Sequence, residues 1–419
     1  MTSSERLVAA LEHREGDRVP VDLGATSVTG IHVVAMDRVR RAVIGDQKYR
    51  VKVRDPYQML GEVDDELRGA LGVDVAGAMP RMTRFGFENS GWKPMELMDG
   101  TEVLVPGKFD VTVDENGDWL MHVEGDPTLP VSGRMPKGGY YFDAVIRQEP
   151  IEEEKLDPAE NCEEFGEVSE RDLAWMEGEV GRIHRETDFG VVVAIPGTSF
   201  GDIAQVPGVW MRRPRGIRDV EEWYISTVTR KDYIRKVFAR QCEVGLGNIS
   251  KMIRRLGDRV DVATVTGTDF GTQRGLFVSE GTYRELYKPF HKAVNELIHR
   301  ESGWKTFIHS CGSVYRLIPE FIEAGFDILN PVQCSAAEME PRRLKREFGK
   351  EMVFWGGGVD TQRTLAFGTA EEVYREVRER IDIFAEGGGF VFDAVHNVQA
   401  GTPVENVMAM FKAVRDSAG

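Results

Sequence analysis

The sequence predicts an α/β protein: a (β/α)8 TIM barrel carrying a small antiparallel β-hairpin insertion near its N-terminal third. Three observations predict it. Short β-branched runs alternate with segments of helical periodicity, the pattern of parallel βαβ units. Eight such runs can be marked, the number a closed parallel barrel needs. The chain has 419 residues, a length that one barrel with insertions absorbs as a single domain.

The N-terminal stretch MTSSERLVAALEHREGDRVP is amphipathic and carries acidic residues, so a helix is expected there and not a signal peptide. Strands are expected at residues 18–23, 73–76, 190–195, 260–264, 305–309, 326–329, 352–355 and 390–393. The helices of the second half are better marked. One covers residues 279–300, with Ser279 as its cap and apolar residues at helical spacing. Others cover 315–324, 341–348 and 370–385, the last opened by a capping box of Thr369 and Glu372. Thr402 and Pro403 open a final helix, VENVMAMFKAV, with proline where its missing N–H costs least.

The alternation breaks between Arg84 and about Asp126. Asp99-Gly100 and Asn116-Gly117 are hairpin-turn signals flanked by alternating runs. The expected organisation is one barrel domain over residues 1–419, with residues 84–150 inserted as a hairpin and lid region. Within it, the glycine- and aromatic-rich loop 135–143 is the expected lid. The acidic stretch 149–167 reads as a solvated linker.

Composition excludes several classes. A formal charge of −16 argues against a nucleic-acid binder, which needs a basic stripe to neutralise phosphates. Four cysteines are too few for a disulfide framework in a chain of this length. No apolar run approaches the ~18–20 residues of a membrane span. A reducing cytoplasm is the expected compartment, with thiols free for metal binding or catalysis.

In parallel barrels the reactive groups sit on the loops after the carboxyl ends of the strands. The fifth expected strand runs into FIHSCGS, placing His309 and Cys311 two apart. Residues i and i+2 of a strand share a side, so both could meet at the barrel mouth. Imidazole with thiolate is a donor set that Zn²⁺ accepts. The bland alternative is a histidine in a polar core slot beside an inert buried cysteine. A third ligand must come from elsewhere. His396, after the eighth strand, is preferred, and Cys334, after the sixth, is the alternative. Three protein ligands suffice for a catalytic zinc, which keeps one position open for substrate.

A second tier of polar residues also falls on strand ends. Asp269 and Asp360 are the expected catalytic carboxylates. Gln273, Asn330 and Gln333, with Gln362 beside them, are candidates for holding substrate or orienting a ligand histidine. Each could equally bond its own loop backbone. Tyr140 and Tyr141 of the lid are further substrate-binding candidates. With Trp92, Trp119 and Trp355 they suggest an aromatic pocket, although such aromatics are more often core.

The segments TGTDFGTQRGLFVSEGTYRELYKPFHK, FIHSCGSVYRLIPEFIEAGFDILNPVQ, LKREFGKEMVFWGGGVDTQRTLAFGTAEEVYREV and TPVENV resemble, in that order, the uroporphyrinogen decarboxylase superfamily. The HSCG element is similar to its corrinoid-dependent methyltransferase branch. That resemblance implies a His-x-Cys zinc pair, matched by His309 and Cys311, completed by a cysteine after the last strand. His396 stands at that last position, where the decarboxylases also carry histidine. The decarboxylases place a glycine- and arginine-rich substrate loop after the first strand. The corresponding stretch here, DLGATSVTGIH, has no arginine.

The resemblance therefore implies a zinc-dependent methyltransferase. It would move a methyl group between a small O-, N- or S-methyl compound, or a thiol acceptor, and a corrinoid (cobamide). No D-x-H-x-x-G cobalamin-binding motif occurs in the chain, so the corrinoid is expected on a partner protein. A homodimer is the other partner expectation. The alternatives are a metal-free decarboxylase and a non-catalytic corrinoid or tetrapyrrole binder.

Overall fold

Runs rich in valine and isoleucine, apolar on both faces, suit the interior strands of a parallel sheet. In the computed structural model, which describes residues 1–417, such runs form the barrel wall. Seven parallel strands make one sheet in the order Phe390–Val391, Val353–Trp355, Ile328–Asn330, Lys305–His309, Val262–Thr266, Gly190–Ala194 and Val75–Ala78. Neighbours in space are neighbours in chain order among these strands, each returned by helical segments, as right-handed βαβ winding requires.

The eighth position is filled by residues 20–22. Phe392 donates its N–H to Pro20 O at 2.8 Å, and Asp22 donates to Phe392 O at 2.9 Å. On the other side Asp74 donates to Val21 O at 2.8 Å. This segment thus bonds both edges of the sheet and closes the barrel. The sequence predicts a regular strand over 18–23, but only a single bridge forms, Val21 to Phe392. Pro20 offers no N–H to extend the ladder, and Gly24 turns the chain away at φ 83°.

The barrel interior is packed, not open. Val75, Val192, Val262, Phe307, Ile328, Val353, Trp355 and Val391 fill it together with Leu7, Ala10 and Leu11. The last three belong to the N-terminal helix Ser3–Leu11, capped by Thr2 and Glu5. Its Ser4 N–H bonds Asp188 O at 2.7 Å, just before the third strand begins. The helix therefore closes the amino end of the barrel and leaves the carboxyl end as the mouth.

Several boundaries differ from expectation. Lys305–His309 and Pro341–Phe348 fall where the sequence puts them. Helix Ala370–Phe384 carries the expected Thr369–Glu372 capping box. The expected helix at 279–300 is interrupted by a π-helical turn, Tyr283–Tyr287. Both tyrosines are fully buried and pack edge-on against Phe270, a tertiary demand that periodicity does not encode. The segment 315–324 begins as a 3-10 turn, Tyr315–Leu317, before the helix Ile318–Glu323.

The reading of 149–167 as a solvated linker is corrected. It holds two 3-10 turns, Glu153–Lys155 and Pro158–Asn161. Glu164 forms a buried ion pair with Arg218 at 2.6 Å, and Asn161 accepts the Ile217 N–H at 2.7 Å. Glu164 meets a partner 54 residues away in sequence, which local composition does not encode.

Between the second and third strands lie the antiparallel hairpins. Lys93–Glu96 pairs with Glu102–Val105 around Asp99-Gly100, and Val111–Val113 with Trp119–His122 around Asn116-Gly117. Val131–Met135 and Asp143–Ala144 extend the second pair. Phe85, Phe109 and Phe142 form their buried aromatic core, with Phe142 edge-on to both neighbours. Loop 135–143 is held down at Tyr140. Val34 donates its N–H to His32 Nδ1, so the proton of the neutral ring sits on Nε2, which donates to Tyr140 O at 2.6 Å.

Candidate metal centre

The fifth strand ends at His309, which is 3% exposed. Asn330, at the end of the adjacent sixth strand, lies opposite it in register. The Asn330 amide donates Nδ2–H to Trp355 O at 2.9 Å, which turns its Oδ1 toward His309 Nδ1 at 2.5 Å. An amide oxygen can only accept. The imidazole proton is thereby fixed on Nδ1, and the Nε2 lone pair is left free on the mouth side.

That lone pair faces Cys311 Sγ at 3.4 Å. The Cys311 N–H donates to Asp269 Oδ1 at 2.7 Å. Burial, and then the nearby Asp269 carboxylate, push the Cys311 thiol well above its ordinary range. The space between Sγ and Nε2 is the place a cation would take on displacing the thiol proton.

The loops after strands four and five meet backbone to backbone. Gly312 has φ 82°, and a Cβ there would lie 2.5 Å from Gly271 C. Only glycine allows both that dihedral and that approach.

His396 comes from the loop after the eighth strand. Its ring stands edge-on to His309 with centroids 5.3 Å apart. The donor atoms of His309, Cys311 and His396 all lie within 4.8 Å of one another. Burial, and then the neighbouring His309, hold the His396 pKa down to about 4, so the ring is neutral and can serve as a ligand. One contact opposes this. His396 Nδ1 accepts the Asn397 N–H at 2.8 Å, which puts the ring proton on Nε2. To serve as a ligand through Nε2 the ring must release that amide. Two imidazoles and a thiol, all deprotonatable or neutral, otherwise match the donor set of a catalytic zinc.

These groups open on a cleft of about 290 Å³ lined by Cys311, His396, Gln273, Gln333, Gln362 and Thr361, among others. Residues 247–417, which supply all of them, match the family described as uroporphyrinogen decarboxylase (URO-D). A solved structure, a methyltransferase from Methanosarcina mazei, shares the fold over 99% of both chains with a TM-score of 0.55 and 14% identity. No curated protein sequence matches the chain.

The other expected residues divide. Asp269 stands behind the cluster as the acceptor for the Cys311 N–H. Gln333 Oε1 accepts the Gly312 N–H at 2.8 Å. Gln273 Nε2 donates to Gln362 Oε1 at 3.2 Å, joining the loops after strands four and seven.

Cys334 lies outside the cluster. Its Sγ donates to Val332 O at 3.3 Å, and burial pushes its pKa up to about 12. Asp360 spends Oδ1 on the Gln362 N–H at 2.8 Å and does not line the cleft. Tyr140 lines a separate apolar cavity with His32, Met59, Met98, Trp119 and Met135, and Tyr141 is 51% exposed. Trp355 is interior core, donating Nε1–H to Asp22 at 3.0 Å. Trp92 packs under the Lys52 ammonium. The expected aromatic pocket therefore does not assemble around the metal candidates.

Sequence reasoning missed Asp202. It sits on the loop after the third strand, is 6% exposed, and is raised in pKa chiefly by burial, with Asp269 adding and Arg84 opposing. Its place on a strand-end loop was the available signal. It also missed Val332, whose φ of 57° is an outlier for a β-branched residue. Such strain gathers where a loop must present a side chain, and the next residue is Gln333.

Proposed function

We propose that this cleft is the zinc centre of a methyl-transfer enzyme, with His309, Cys311 and His396 as ligands. The methyl group would pass between a small O-, N- or S-methyl compound, or a thiol acceptor, and a corrinoid carried by a partner protein. The observation that carries this reading is the 3.4 Å approach of Cys311 Sγ to His309 Nε2. A soft thiol and an oriented imidazole converge at a barrel mouth, where enzymes of this architecture place their chemistry.

When bound, zinc would act as a Lewis acid on the heteroatom that carries or accepts the methyl group. The chain's own residues do the positioning. Asn330 keeps the His309 lone pair on the mouth side, and Asp269 holds the backbone at Cys311. The Gln273–Gln362 bond spans the loops at the rim, and the hairpins with the 135–143 loop can help exclude water.

The URO-D match favours a second reading, a metal-free decarboxylase acting through His396 and the carboxylates. Metal analysis separates the two. About one zinc per chain, lost in Cys311→Ser and His309→Ala, supports methyl transfer. Metal-free protein that is folded and active would sink it. Mixing the zinc protein with a corrinoid protein and methyl donors should change the cobalt absorption spectrum.

A further inference from the structure

Three amides and two hydroxyls dominate the polar lining of the cleft: Gln273, Gln333, Gln362, Thr272 and Thr361. No aspartate, glutamate, lysine or arginine is among the residues lining it. A buried ammonium or carboxylate group of a ligand would need an opposite charge there. Arg54 and Arg84 are engaged by backbone, donating to Gly77 O and Ala204 O.

Gln333 is the best-placed of the amides. It is 6% exposed, and its Oε1 is committed to the Gly312 N–H at 2.8 Å. The amide cannot turn over without bringing Nε2–H against that N–H. Its Nε2 is thus the free end, and it has no hydrogen-bond partner among the described residues. That donor lines the cleft one loop away from Cys311, where a ligand acceptor can take the place of water. Val332 holds the strained backbone that presents it.

We infer that Gln333 is the specificity-determining residue of this cleft: Nε2–H donates to an acceptor oxygen of an uncharged substrate, and the cleft rejects charged analogues. The inference rests on the cleft beside Cys311 being the substrate site. Carboxylates such as those of porphyrinogens meet no cation in it. Protonated methylamines meet no carboxylate among the residues lining it, and Asp269 behind Cys311 is already taken up by the Cys311 N–H. The substrate class is a small neutral molecule bearing a hydroxyl, ether or carbonyl oxygen within reach of its reacting methyl or thiol group.

The test uses three probes with one skeleton and three charges: 2-methoxyethanol, methoxyacetate and 2-methoxyethylamine. Each is titrated into the full-length zinc-loaded protein and followed by ligand-observed NMR. The neutral probe should bind at least about tenfold more tightly than either charged one, the factor one lost or unpaired hydrogen bond is worth. Gln333→Glu keeps the acceptor for Gly312 but replaces the free donor by a carboxylate oxygen. It should weaken the neutral probe about tenfold and favour the ammonium probe, with zinc content unchanged.

Tighter binding of a charged probe to the native protein overturns the inference. So does binding of none of the three, or a neutral-probe affinity untouched by Gln333→Glu. The charge ranking requires no turnover and no corrinoid. A protein that ranks the probes as stated but transfers no methyl group would therefore fail the proposed reaction while leaving the substrate class standing.

Discussion

Asn330 determines which nitrogen of His309 is available. Its amide is anchored at Trp355 O, so Oδ1 faces His309 Nδ1 and the lone pair stays on Nε2. Partners of this kind, one step removed from a metal, typically account for about 10–100-fold in affinity. Asn330→Ala should therefore weaken zinc binding by about that factor without unfolding the protein. Competition against a chromophoric chelator, with circular dichroism as the fold control, measures it. An unchanged zinc affinity would mean that His309 is oriented by something else.

Cys311 and Cys334 are separated cleanly by their surroundings. Cys311 Sγ faces an imidazole lone pair, whereas Cys334 Sγ is turned to the Val332 and Gly357 carbonyls. Cys334→Ser should retain zinc at the native level, and Cys311→Ser should lose most of it. Elemental analysis of the two purified variants decides the matter. Loss of metal in the Cys334 variant would restore that thiol as a ligand.

Parts of this were legible in the sequence for identifiable reasons. The His309–Cys311 pair was readable because i and i+2 on a strand share a side whatever the tertiary context. Helices with strong caps, such as Ala370–Phe384, were readable because capping is local. What escaped depends on contacts distant in sequence. The π turn at Tyr283 answers to Phe270, the ordered path of 149–167 answers to Arg218, and the first barrel segment is held by edges on either side. Gln333 and Asp360 looked alike as polar strand-end residues. Their difference lies in which neighbour takes up the side-chain oxygen, Gly312 in one case and the residue two further on in the other.

The barrel seam makes a stability prediction. Asp74 has no exposed surface. It accepts from Arg6 Nη1 at 2.6 Å, Arg18 Nη1 at 2.6 Å and Val21 N–H at 2.9 Å. It thus ties the N-terminal helix and the closing segment to the second strand. Removing the central carboxylate of a buried charge cluster costs about 3–5 kcal/mol, because Arg6 and Arg18 lose their inner partner and the Val21 N–H its acceptor. Asp74→Ala should lower the urea unfolding free energy by about that amount. Asp17→Ala removes the outer partner of Arg6, whose side chain is 45% exposed, and should cost less than about 1 kcal/mol. Equal costs for the two would contradict this account of closure.

His291, which does not line the cleft, supplies a pH dependence of its own. It is fully buried among Phe200, Phe270 and Phe326. Tyr283 OH lies 3.1 Å from Nδ1, and Nε2 has no partner among the described residues. Burial holds its pKa down to about 3, from an ordinary 6.5. The unfolded chain takes up this proton at the higher pH, so protonation favours unfolding. The neutral ring's contribution is complete above about pH 6.5 and is lost progressively as pH falls toward 3. Each pH unit in that window is worth at most about 1.4 kcal/mol from one group. His291→Phe leaves the Tyr283 hydroxyl without its partner, which lowers stability at every pH. It also removes one titrating group, so the fall in stability between pH 6 and pH 4 should become shallower by up to about that slope. Urea midpoints and m-values at several pH values give the comparison. Parallel curves for the native protein and the variant would show that His291 does not carry this proton.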